Sequence, residues 1–297
     1  MISKQPRILV GQVVAITGGA RGIGKETARA LLREGMKVAI GDVDAVTARA
    51  AADELGGGCV ALGLDVTDRA SFEGFVGGVE ERLGPIDVLI NNAGIMPLGP
   101  FAEEDDRTTR RMIDINVYGV LYGMKIVLPR MQARGRGHIV NIASQAGKAG
   151  YPGGATYSGT KHFVVGVSEA VRGELRGTPI EISCVMPVVV QTELAAGLGT
   201  TRGVKNVTPQ QVAQHIVAAL KLPRFDVDVP RSAGRLGRIA GVLPRGGREF
   251  IGRLIRADRI LTNVDAAARR GYELRAARSE PGLEPAAEPR RLGESAG

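Results

Sequence analysis

The sequence predicts an α/β fold in which helices cover both faces of a single doubly wound parallel sheet. Three observations lead to this prediction. Short apolar runs, many of them β-branched, alternate along the chain with segments of helical spacing. Several of the apolar runs end at a polar residue. The chain also has 42 glycines in 297 residues, which suits tight strand-to-helix turns. Such alternation is typical of a parallel sheet.

The first unit of the chain shows the pattern. Residues 13–17 are apolar and β-branched and predict a buried strand that stops at a glycine turn over 18–24. Helical spacing follows as far as Gly35, a natural C-terminal cap. Residues 37–42 predict a second strand that ends in a carboxylate. A glycine turn in this context indicates dinucleotide binding, as in the Rossmann fold.

The remaining elements continue the alternation. Helices are predicted over 45–55, 68–83, 108–128 (ending near Pro129) and 157–176. Strands are predicted over 60–64, 87–91, 138–144 and 180–186, with an edge strand over 225–229. A further helix opens at Thr208-Pro209, where threonine caps and proline takes the first helical position. Ligands bind at the carboxyl ends of parallel strands, and polar residues occupy those ends at Thr17, Asp42, Asp65, Asn91 and Ser144.

The chain is expected to comprise a dinucleotide-binding and catalytic domain over 8–230, a helical extension over 231–278 and a disordered tail over 279–297. The extension carries many arginines and two apolar stripes at helical spacing. The stripes are Leu236, Ile239, Ala240 and Leu243, then Phe250, Ile251, Leu254 and Ile255. The chain's own substrate cleft, a second subunit or a lipid headgroup layer would cover them. We expect protein contact, with association of 231–259 with a membrane surface as the alternative.

Composition limits the other classes of function. Aromatic residues make up 4% of the chain, which argues against a base-stacking nucleic-acid surface despite the net charge of +8. The N-terminus lacks the apolar core of a signal peptide, so a cytoplasmic location is expected. Cys59 and Cys184 lie in apolar runs and predict buried thiols. His138, His162 and His215 lack metal-site spacing, so no metal is expected.

Three side chains indicate carbonyl chemistry. Tyr157 and Lys161 stand one turn apart on a predicted helix, so the ammonium can lie beneath the phenol and favour the phenolate. Ser144 ends a strand, where its hydroxyl can steady the charge on a substrate oxygen. A Tyr-x3-Lys pair alone is a weak signal, and the remaining evidence comes from elsewhere in the chain.

The glycine turn predicts the cofactor. Gly18, Gly22 and Gly24 let the backbone approach a pyrophosphate at a helix N-terminus. Asp42 can accept from both adenosine ribose hydroxyls and would repel a 2′-phosphate, which predicts NAD in preference to NADP. Arg21 is the competing observation, because a guanidinium in the turn can pair with that phosphate.

In order and spacing these motifs resemble the classical short-chain dehydrogenase/reductase family. The matching residues are 17–24, 65–66, 91–94, Asn116, Ser144, Tyr157, Lys161, Pro187 and Thr192. The resemblance implies hydride transfer with a catalytic set of Asn116, Ser144, Tyr157 and Lys161. It implies cofactor contacts from Thr17, Gly18, Arg21, Gly22, Ile23, Gly24, Asp42, Asp65, Val66, Asn91, Ala93, Gly94, Tyr157, Lys161, Pro187, Val190 and Thr192.

Some individual roles also follow only from the resemblance. Asp65 and Val66 would contact adenine, Asn91 and Gly94 the adenosine ribose, Lys161 the nicotinamide ribose, and Val190 and Thr192 the carboxamide. Asn116 would hold a water in a proton relay behind Lys161. Family members commonly associate, which implies a homodimer or homotetramer. One departure is Val188, where the family usually has glycine, and we expect its side chain to narrow the pocket.

The function expected from these residues is NAD-dependent interconversion of a secondary alcohol and a ketone. The predicted substrate pocket is apolar, which favours an apolar small molecule. Its residues are Met96, Leu98, Tyr151, Val188 and Leu194. The alternative is a sensor or scaffold protein that binds NAD without turnover, and a nucleic-acid or membrane-binding role for the arginine-rich segment is a third hypothesis.

Overall fold

A computed structural model describes residues 5–198, 206–241, 243–244, 246–247, 260–262 and 264–278. The strands are β1 Val13–Thr17, β2 Lys37–Asp42, β3 Val60–Gly63, β4 Val88–Asn91, β5 Gly137–Ile142, β6 Ile180–Pro187 and β7 Asp226–Val229. They form one seven-stranded sheet in the order β3-β2-β1-β4-β5-β6-β7, and each neighbouring pair is parallel. The predicted fold class is confirmed.

The helices cover both faces of this sheet. They are α1 Gly22–Arg33, α2 Ala45–Leu55, α3 Arg69–Leu83, α4 Asp106–Ile113, α5 Gly119–Arg134, α6 Ala155–Glu174, α7 Pro209–Lys221, α8 Arg231–Gly241 and α9 Ala266–Arg278. One apolar layer lies between the sheet and α3, α5 and α6. The other lies between the sheet and α1, α2 and α7. The strand order reverses between β1 and β4, and such a reversal creates a ligand-binding crevice at the strands' carboxyl ends.

Side-chain caps fix where several helices begin. Asp44 accepts from the N–H of Thr47 at the start of α2, and Asp68 accepts from that of Ala70 at the start of α3. Thr208 and Gln211 form a reciprocal capping box at α7, as the Thr-Pro pair predicts. These local bonds satisfy N–H groups that the helix itself leaves unpaired.

The prediction that a helix ends near Pro129 is wrong, because α5 continues through this proline to Arg134. Pro129 lies on the exposed side of α5, as does Lys125 one turn earlier. The carbonyl left without a partner by the proline is therefore on the side where water can satisfy it. The helix ends instead at Gly135, whose φ of 67° is left-handed.

The helical stretch Asp106–Arg134 is long and apolar enough, by length and composition, to cross a membrane. It includes a π-helical turn, Asp114–Tyr118, between α4 and α5. Half of its most apolar window is buried within the protein, and α5 contacts α3, β4 and β5. These contacts are those of a core helix.

The C-terminal extension is described in part. Helix α8 contacts β7 at the edge of the sheet, and α9 returns to the loops after β4 and β6. The side chains of Leu236, Ile239 and Ala240 lie outside the described residues, and so do the second predicted stripe and the tail from residue 279.

Candidate active site

The glycine turn joins β1 to α1 at the carboxyl edge of the sheet. Gly18 and Gly22 have left-handed φ values of 64° and 53°, which a side chain would strain. Gly24 packs so closely against the carbonyl of Gly18 that a Cβ would collide with it. The first N–H groups of α1 and its positive dipole end are therefore close to this turn, as a pyrophosphate requires.

Asn92 organises the turn from the neighbouring strand, and the predicted site residues did not include it. Its side-chain amide donates to the carbonyls of Thr17 and Gly18, both at 2.9 Å. Thr17 Oγ1 in turn accepts from the N–H groups of Asn92 and Ala93, both at 3.0 Å. The ends of β1 and β4 are thus joined by four hydrogen bonds. The signal was available, since Asn92 directly follows the polar end of a strand.

Asp42 lies beside the turn, at the end of β2. Its carboxylate accepts from the N–H groups of Ala20 and Asp44, each at 3.2 Å. Burial raises the pKa of Asp42, against the smaller lowering effects of those two bonds and of Arg21. Arg21 itself donates to Asp44 at 2.8 Å and to Thr47 Oγ1 at 2.9 Å. The one cation of the turn is therefore already paired with a carboxylate.

The residues predicted to contact adenine and the adenosine ribose differ in whether their side chains can reach a cofactor. Asp65 Oδ1 accepts from the N–H and hydroxyl of Thr67 at 2.9 and 2.8 Å, and Val66 is buried beside it. Asn91 is also buried, and its side-chain amide donates to Asn141 Oδ1 at 2.8 Å in the core. The Asn91 side chain therefore serves the core, and only its backbone remains for the predicted ribose contact.

The segment after β6 lies against the glycine turn. Val190 pairs with Val207 in an isolated parallel bridge, and the N–H of Thr192 donates to the Val190 carbonyl at 2.7 Å. A Cβ placed on Gly22 would lie 3.3 Å from Thr192 Cγ2. Pro187, which ends β6, begins this segment. The residues predicted to hold a carboxamide are therefore next to those predicted to hold the pyrophosphate.

Ser144, Tyr157 and Lys161 lie close together at the carboxyl edge of the sheet. Ser144 follows the end of β5, and Tyr157 and Lys161 lie in the first two turns of α6. Ser144 Oγ accepts from the N–H of Ala146 at 3.1 Å, and its hydroxyl is close enough to the Tyr157 phenol to lower the pKa of that phenol. Lys161 Nζ donates to the carbonyl of Ile142 at 2.9 Å and lies 5.8 Å from the centre of the Tyr157 ring. The structure brings together all three residues.

Burial sets the direction of the pKa shifts of both Tyr157 and Lys161. Burial raises the pKa of Tyr157 to about 12, and the hydrogen bond with Ser144 lowers it by less. Burial likewise lowers the pKa of Lys161 to about 8. Desolvation dominates because both groups are enclosed and the ammonium is directed at the Ile142 carbonyl. A phenol that keeps its proton is suited to donating it to a ketone oxygen.

Asn116 stands in the π-helical turn before α5. Its side chain accepts from the N–H of Ile95 and donates to the same residue's carbonyl, both at 2.9 Å, and also donates to Thr160 Oγ1 at 3.1 Å. A Cβ on Gly94 would lie 3.2 Å from Asn116 Oδ1 and 3.6 Å from Lys161 Nζ. Asn116 and Lys161 therefore border one small space above Gly94, where the predicted relay would run.

Four of the five predicted pocket residues surround the phenol. An apolar cluster consists of Met96, Met112, Ala146 and Tyr157, with Ile95, Leu98, Tyr151, Leu194 and Leu198 packed against it. Val188 is the exception. It packs with the core on the α7 face, and its N–H continues the pairing with Val229 on β7 at 2.9 Å. Val188 therefore lies outside the apolar cluster around the phenol, and the narrowing that we expect of its side chain near a nicotinamide stays a prediction.

Two residues that border the pocket were missed altogether, Arg269 and Tyr272 of α9. Arg269 is 1% exposed, and the Tyr272 hydroxyl accepts from the N–H of Met96 at 2.7 Å. Nothing local distinguishes them, since an arginine in an arginine-rich helix has the pattern of a solvated face. The site as a whole can hold a dinucleotide along the strand ends and present a phenol to a substrate oxygen.

Known proteins share this chain's sequence and architecture. Residues 12–203 match the family model described as short chain dehydrogenase. A sorbitol dehydrogenase of Cereibacter sphaeroides is 41% identical over 186 residues, which cover 62% of this chain and 73% of that protein. A 3-alpha-(or 20-beta)-hydroxysteroid dehydrogenase of Mycobacterium tuberculosis is 35% identical over 186 residues, covering 63% and 72%.

A solved structure shows the same fold with a dinucleotide bound. It is a short chain dehydrogenase/reductase from Burkholderia phymatum in complex with NAD, and it superimposes with a TM-score of 0.73. The two sequences are 25% identical, and the superposition covers 79% of this chain and 94% of that one.

Proposed function

The chain belongs to the short-chain dehydrogenase family, and on that basis we propose that it is an NAD-dependent oxidoreductase that interconverts a secondary alcohol and a ketone. One observation carries the proposal. Tyr157 lies close to Ser144, Lys161 lies one turn away with its Nζ 5.8 Å from the centre of the phenol ring, and all three stand at the carboxyl edge of the sheet. Three polar side chains meeting in an apolar pocket suit proton transfer to or from a substrate oxygen.

Each side chain has a role in this proposal. In ketone reduction the Tyr157 phenol donates its proton to the substrate oxygen, and in alcohol oxidation the phenolate removes the hydroxyl proton. Ser144 donates to the same oxygen and stabilises the charge that develops on it. Lys161 keeps a positive charge close to the phenolate and connects it, through the space above Gly94, with Asn116. A bound nicotinamide would supply or accept the hydride.

Preference for NAD over NADP is the second part of the proposal. It is supported by the Asp42 carboxylate at the end of β2, held by two backbone N–H groups. A 2′-phosphate would bring like charge against it. Arg21 would otherwise compensate, but it is paired with Asp44 at 2.8 Å. Among the described residues, the carboxylate of Asp42 therefore has no ion pair of its own with which to offset the charge of a 2′-phosphate.

An apolar substrate is the third part, and the cluster around Tyr157 supports it. The two relatives are named for substrates of opposite polarity, a polyol and a steroid. The lining favours the steroid-like or aliphatic class, because Met96, Leu98 and Leu194 offer methyl and methylene groups. A polyol would leave its hydroxyls without partners against such a wall.

Measuring NADH absorbance with a panel of secondary aliphatic alcohols, hydroxysteroids and sugar alcohols tests the proposal. We expect turnover with the first two groups. Tyr157→Phe removes the transferable proton and little volume, so the rate should fall by about 10²- to 10⁴-fold while NADH binding, followed by fluorescence, is nearly unchanged. Tyr122→Phe is the matched control, since Tyr122 packs in the core layer beside α3 and α5 and not in the cluster around Tyr157.

Two results would contradict the proposal. A Tyr157→Phe protein that keeps more than about a tenth of the wild-type rate would remove the phenol from the mechanism. Tight NADH binding without turnover of any alcohol or ketone in the panel would favour the alternative, a sensor or scaffold protein. Faster turnover of sugar alcohols than of aliphatic ones would overturn only the apolar substrate.

We propose that the protein acts in the cytoplasm as a homodimer or homotetramer. Exposed aromatic side chains support association, since Tyr118 and Phe163 are 46% and 38% exposed on helical surfaces. Burying such groups against a second subunit is favourable.

A further inference from the structure

The C-terminal end of the described chain contacts three loops around the apolar pocket. We call residues 260–262 and 264–278, which include α9, the C-terminal clamp. The backbone carbonyl of Leu261 comes so close to Gly153 that a Cβ there would lie 2.5 Å away. The N–H of Asp265 donates to the carbonyl of Gly197 at 2.9 Å. The clamp is therefore joined to the loops over 151–154 and 193–198.

Arg269 connects the clamp to both walls of the pocket. One guanidinium nitrogen donates to the carbonyls of Leu194 and Ala196 at 3.0 and 3.3 Å. The other terminal nitrogen donates to the carbonyl of Met96, and Nε donates to Glu273 at 3.0 Å. A guanidinium is planar and its donors have fixed directions. The separation between the loop after β4 and the loop after β6 is therefore set by one rigid group.

Burial shows that this is a specific contact. Arg269 is 1% exposed, whereas Arg270 beside it is exposed. Removing a cation from water is costly unless hydrogen bonds replace the lost solvation. Burial lowers the pKa of Arg269, and its neighbours Tyr272 and Glu273 act in the opposite direction. The three backbone carbonyls therefore hold a charge that an ordinary solvated helix face would leave in water.

Tyr272 closes the same wall next to the phenol of the site. Its hydroxyl accepts from the N–H of Met96 at 2.7 Å, and the centre of its ring lies 4.9 Å from Arg269 Cζ. Met96 belongs to the apolar cluster that includes Tyr157. The loop residue Met96 is thus held by the clamp at both its N–H and its carbonyl, directly beside the reacting phenol.

We propose that Arg269 is a specificity-determining positioning residue, which fixes the separation of loops 95–98 and 193–198 and so limits the size of the substrate that reaches Tyr157. The inference rests on the proposed function, because it concerns the substrate of that site. Arg269 acts through the backbone of the two loops and does not itself touch the reacting atoms.

The test compares Arg269→Met with Arg270→Met, an exposed arginine on the same helix. The probes are 2-butanol and 2-octanol, with NAD at saturation. Loss of the guanidinium should widen the pocket, so kcat/KM for 2-octanol relative to 2-butanol should rise by about tenfold or more, a change of the size that small differences in pocket fit produce. In Arg269→Met the KM for 2-butanol should rise, while the KM for NAD stays within about twofold of wild type. In Arg270→Met the KM for 2-butanol and the KM for NAD should both stay within about twofold of wild type.

A second measurement does not depend on turnover. Hydrogen–deuterium exchange of the NADH-bound protein should become faster over both 95–98 and 193–198 in Arg269→Met, and should be unchanged in Arg270→Met. Arg269→Lys keeps the charge and loses the planar fork, so it should show the same changes at smaller amplitude. This variant gives the answer if Arg269→Met does not fold.

The results separate the inference from the proposed function. If the ratio of kcat/KM for 2-octanol to kcat/KM for 2-butanol is unchanged in folded Arg269→Met, Arg269 does not limit substrate size, even if hydrogen–deuterium exchange becomes faster. Unchanged exchange in both loops overturns the clamp. If the wild-type protein oxidises no alcohol, the proposed function fails and the substrate limit with it, while the exchange measurement still decides whether Arg269 holds both loops.

Discussion

Asp42 is held at the cofactor turn by two backbone N–H groups, and its neighbouring cation is engaged elsewhere. Arg21 pairs with Asp44 at 2.8 Å, an exposed ion pair of the kind that contributes little to stability. In the function that we propose, the carboxylate of Asp44 would compete with a 2′-phosphate for Arg21. The proposed preference for NAD therefore rests on two carboxylates, those of Asp42 and Asp44.

We predict that kcat/KM for NAD exceeds that for NADP and that Asp42→Ala narrows the difference by about tenfold or more. Two unit charges about 4 Å apart repel by roughly 1 kcal/mol even in bulk water and by about 4 kcal/mol near a protein surface. Asp44→Ala should also improve NADP, since it releases Arg21. Steady-state kinetics with both cofactors checks this, with the exposed Asp53→Ala as control. Equal values for the two cofactors in the wild type would refute the prediction.

We predict that His138 makes the protein sensitive to acid. Burial, with a smaller effect of the Arg7 charge, lowers the pKa of His138 from 6.5 to about 3, and the ring is hydrogen-bonded to Ser183 at 2.9 Å. Between these values the unfolded chain binds a proton that the folded chain does not. The free energy of unfolding therefore falls with falling pH, by at most about 1.4 kcal/mol per pH unit from this residue.

Urea unfolding between pH 7 and pH 4 measures that slope. His138→Gln keeps a group that can bond to Ser183 and removes the titration, so the slope should decrease. His162→Gln is the control, because His162 is exposed. Identical slopes in the wild type and His138→Gln would show that buried His138 does not govern the acid response.

Among the secondary-structure elements, α7 depends most clearly on a local signal. Its capping box joins Thr208 and Gln211 through bonds of 2.8 and 3.3 Å, and α7 packs against α1, the helix of the cofactor turn. We predict that Thr208→Ala lowers the free energy of unfolding by about 1 kcal/mol, because an N–H group of the first turn loses its acceptor. Thr208→Ser should remain close to wild type. Urea denaturation of the wild type and the two variants measures these differences. If Thr208→Ala is as stable as the wild type, the cap does not stabilise α7.

Such local signals explain why so much of the fold could be predicted. The strands at 13–17 and 37–42 were predicted to the residue, because each is an apolar run with a glycine turn or a carboxylate at its end. The continuation of α5 through Pro129 could not be predicted, since it depends on which side of the helix is exposed. A proline signals a break locally, and only the packing on the sheet shows that the free carbonyl can be solvated.

The site divides in the same way. Ser144, Tyr157 and Lys161 could be predicted because two periodic elements bring them to one sheet edge. Arg269 could not, since its partners Met96 and Leu194 come from distant segments and its own neighbourhood resembles a solvated helix. Contacts between backbone carbonyls and a distant side chain leave no pattern in a sequence.

At the scale of the whole molecule, the C-terminal extension carries both the clamp and the arginine-rich segment. Deleting everything from residue 231 would also remove Arg269 and Tyr272, and activity would fall whatever the role of the arginine-rich segment. Point substitutions avoid this. We predict that the protein has the mass of two or four chains, as measured by light scattering. The mass should decrease in the double variant Tyr118→Asp, Phe163→Asp. Arg49→Asp, at an exposed polar position of α2, is the control, and a wild-type monomer would refute the prediction.

The last prediction concerns the arginine-rich segment over 231–259 and a membrane surface. We expect the full chain to stay in the supernatant when it is sedimented with phosphatidylserine-rich vesicles at physiological ionic strength. Helix α8 is already in contact with β7, so part of the segment packs on the protein. At physiological ionic strength, salt screens the attraction of arginines to an anionic surface within roughly 8 Å. Arg245→Glu, Arg248→Glu and Arg253→Glu combined should therefore change neither sedimentation nor turnover. If the wild type pellets with vesicles and this variant does not, the segment binds membranes and protein contact is not its main role.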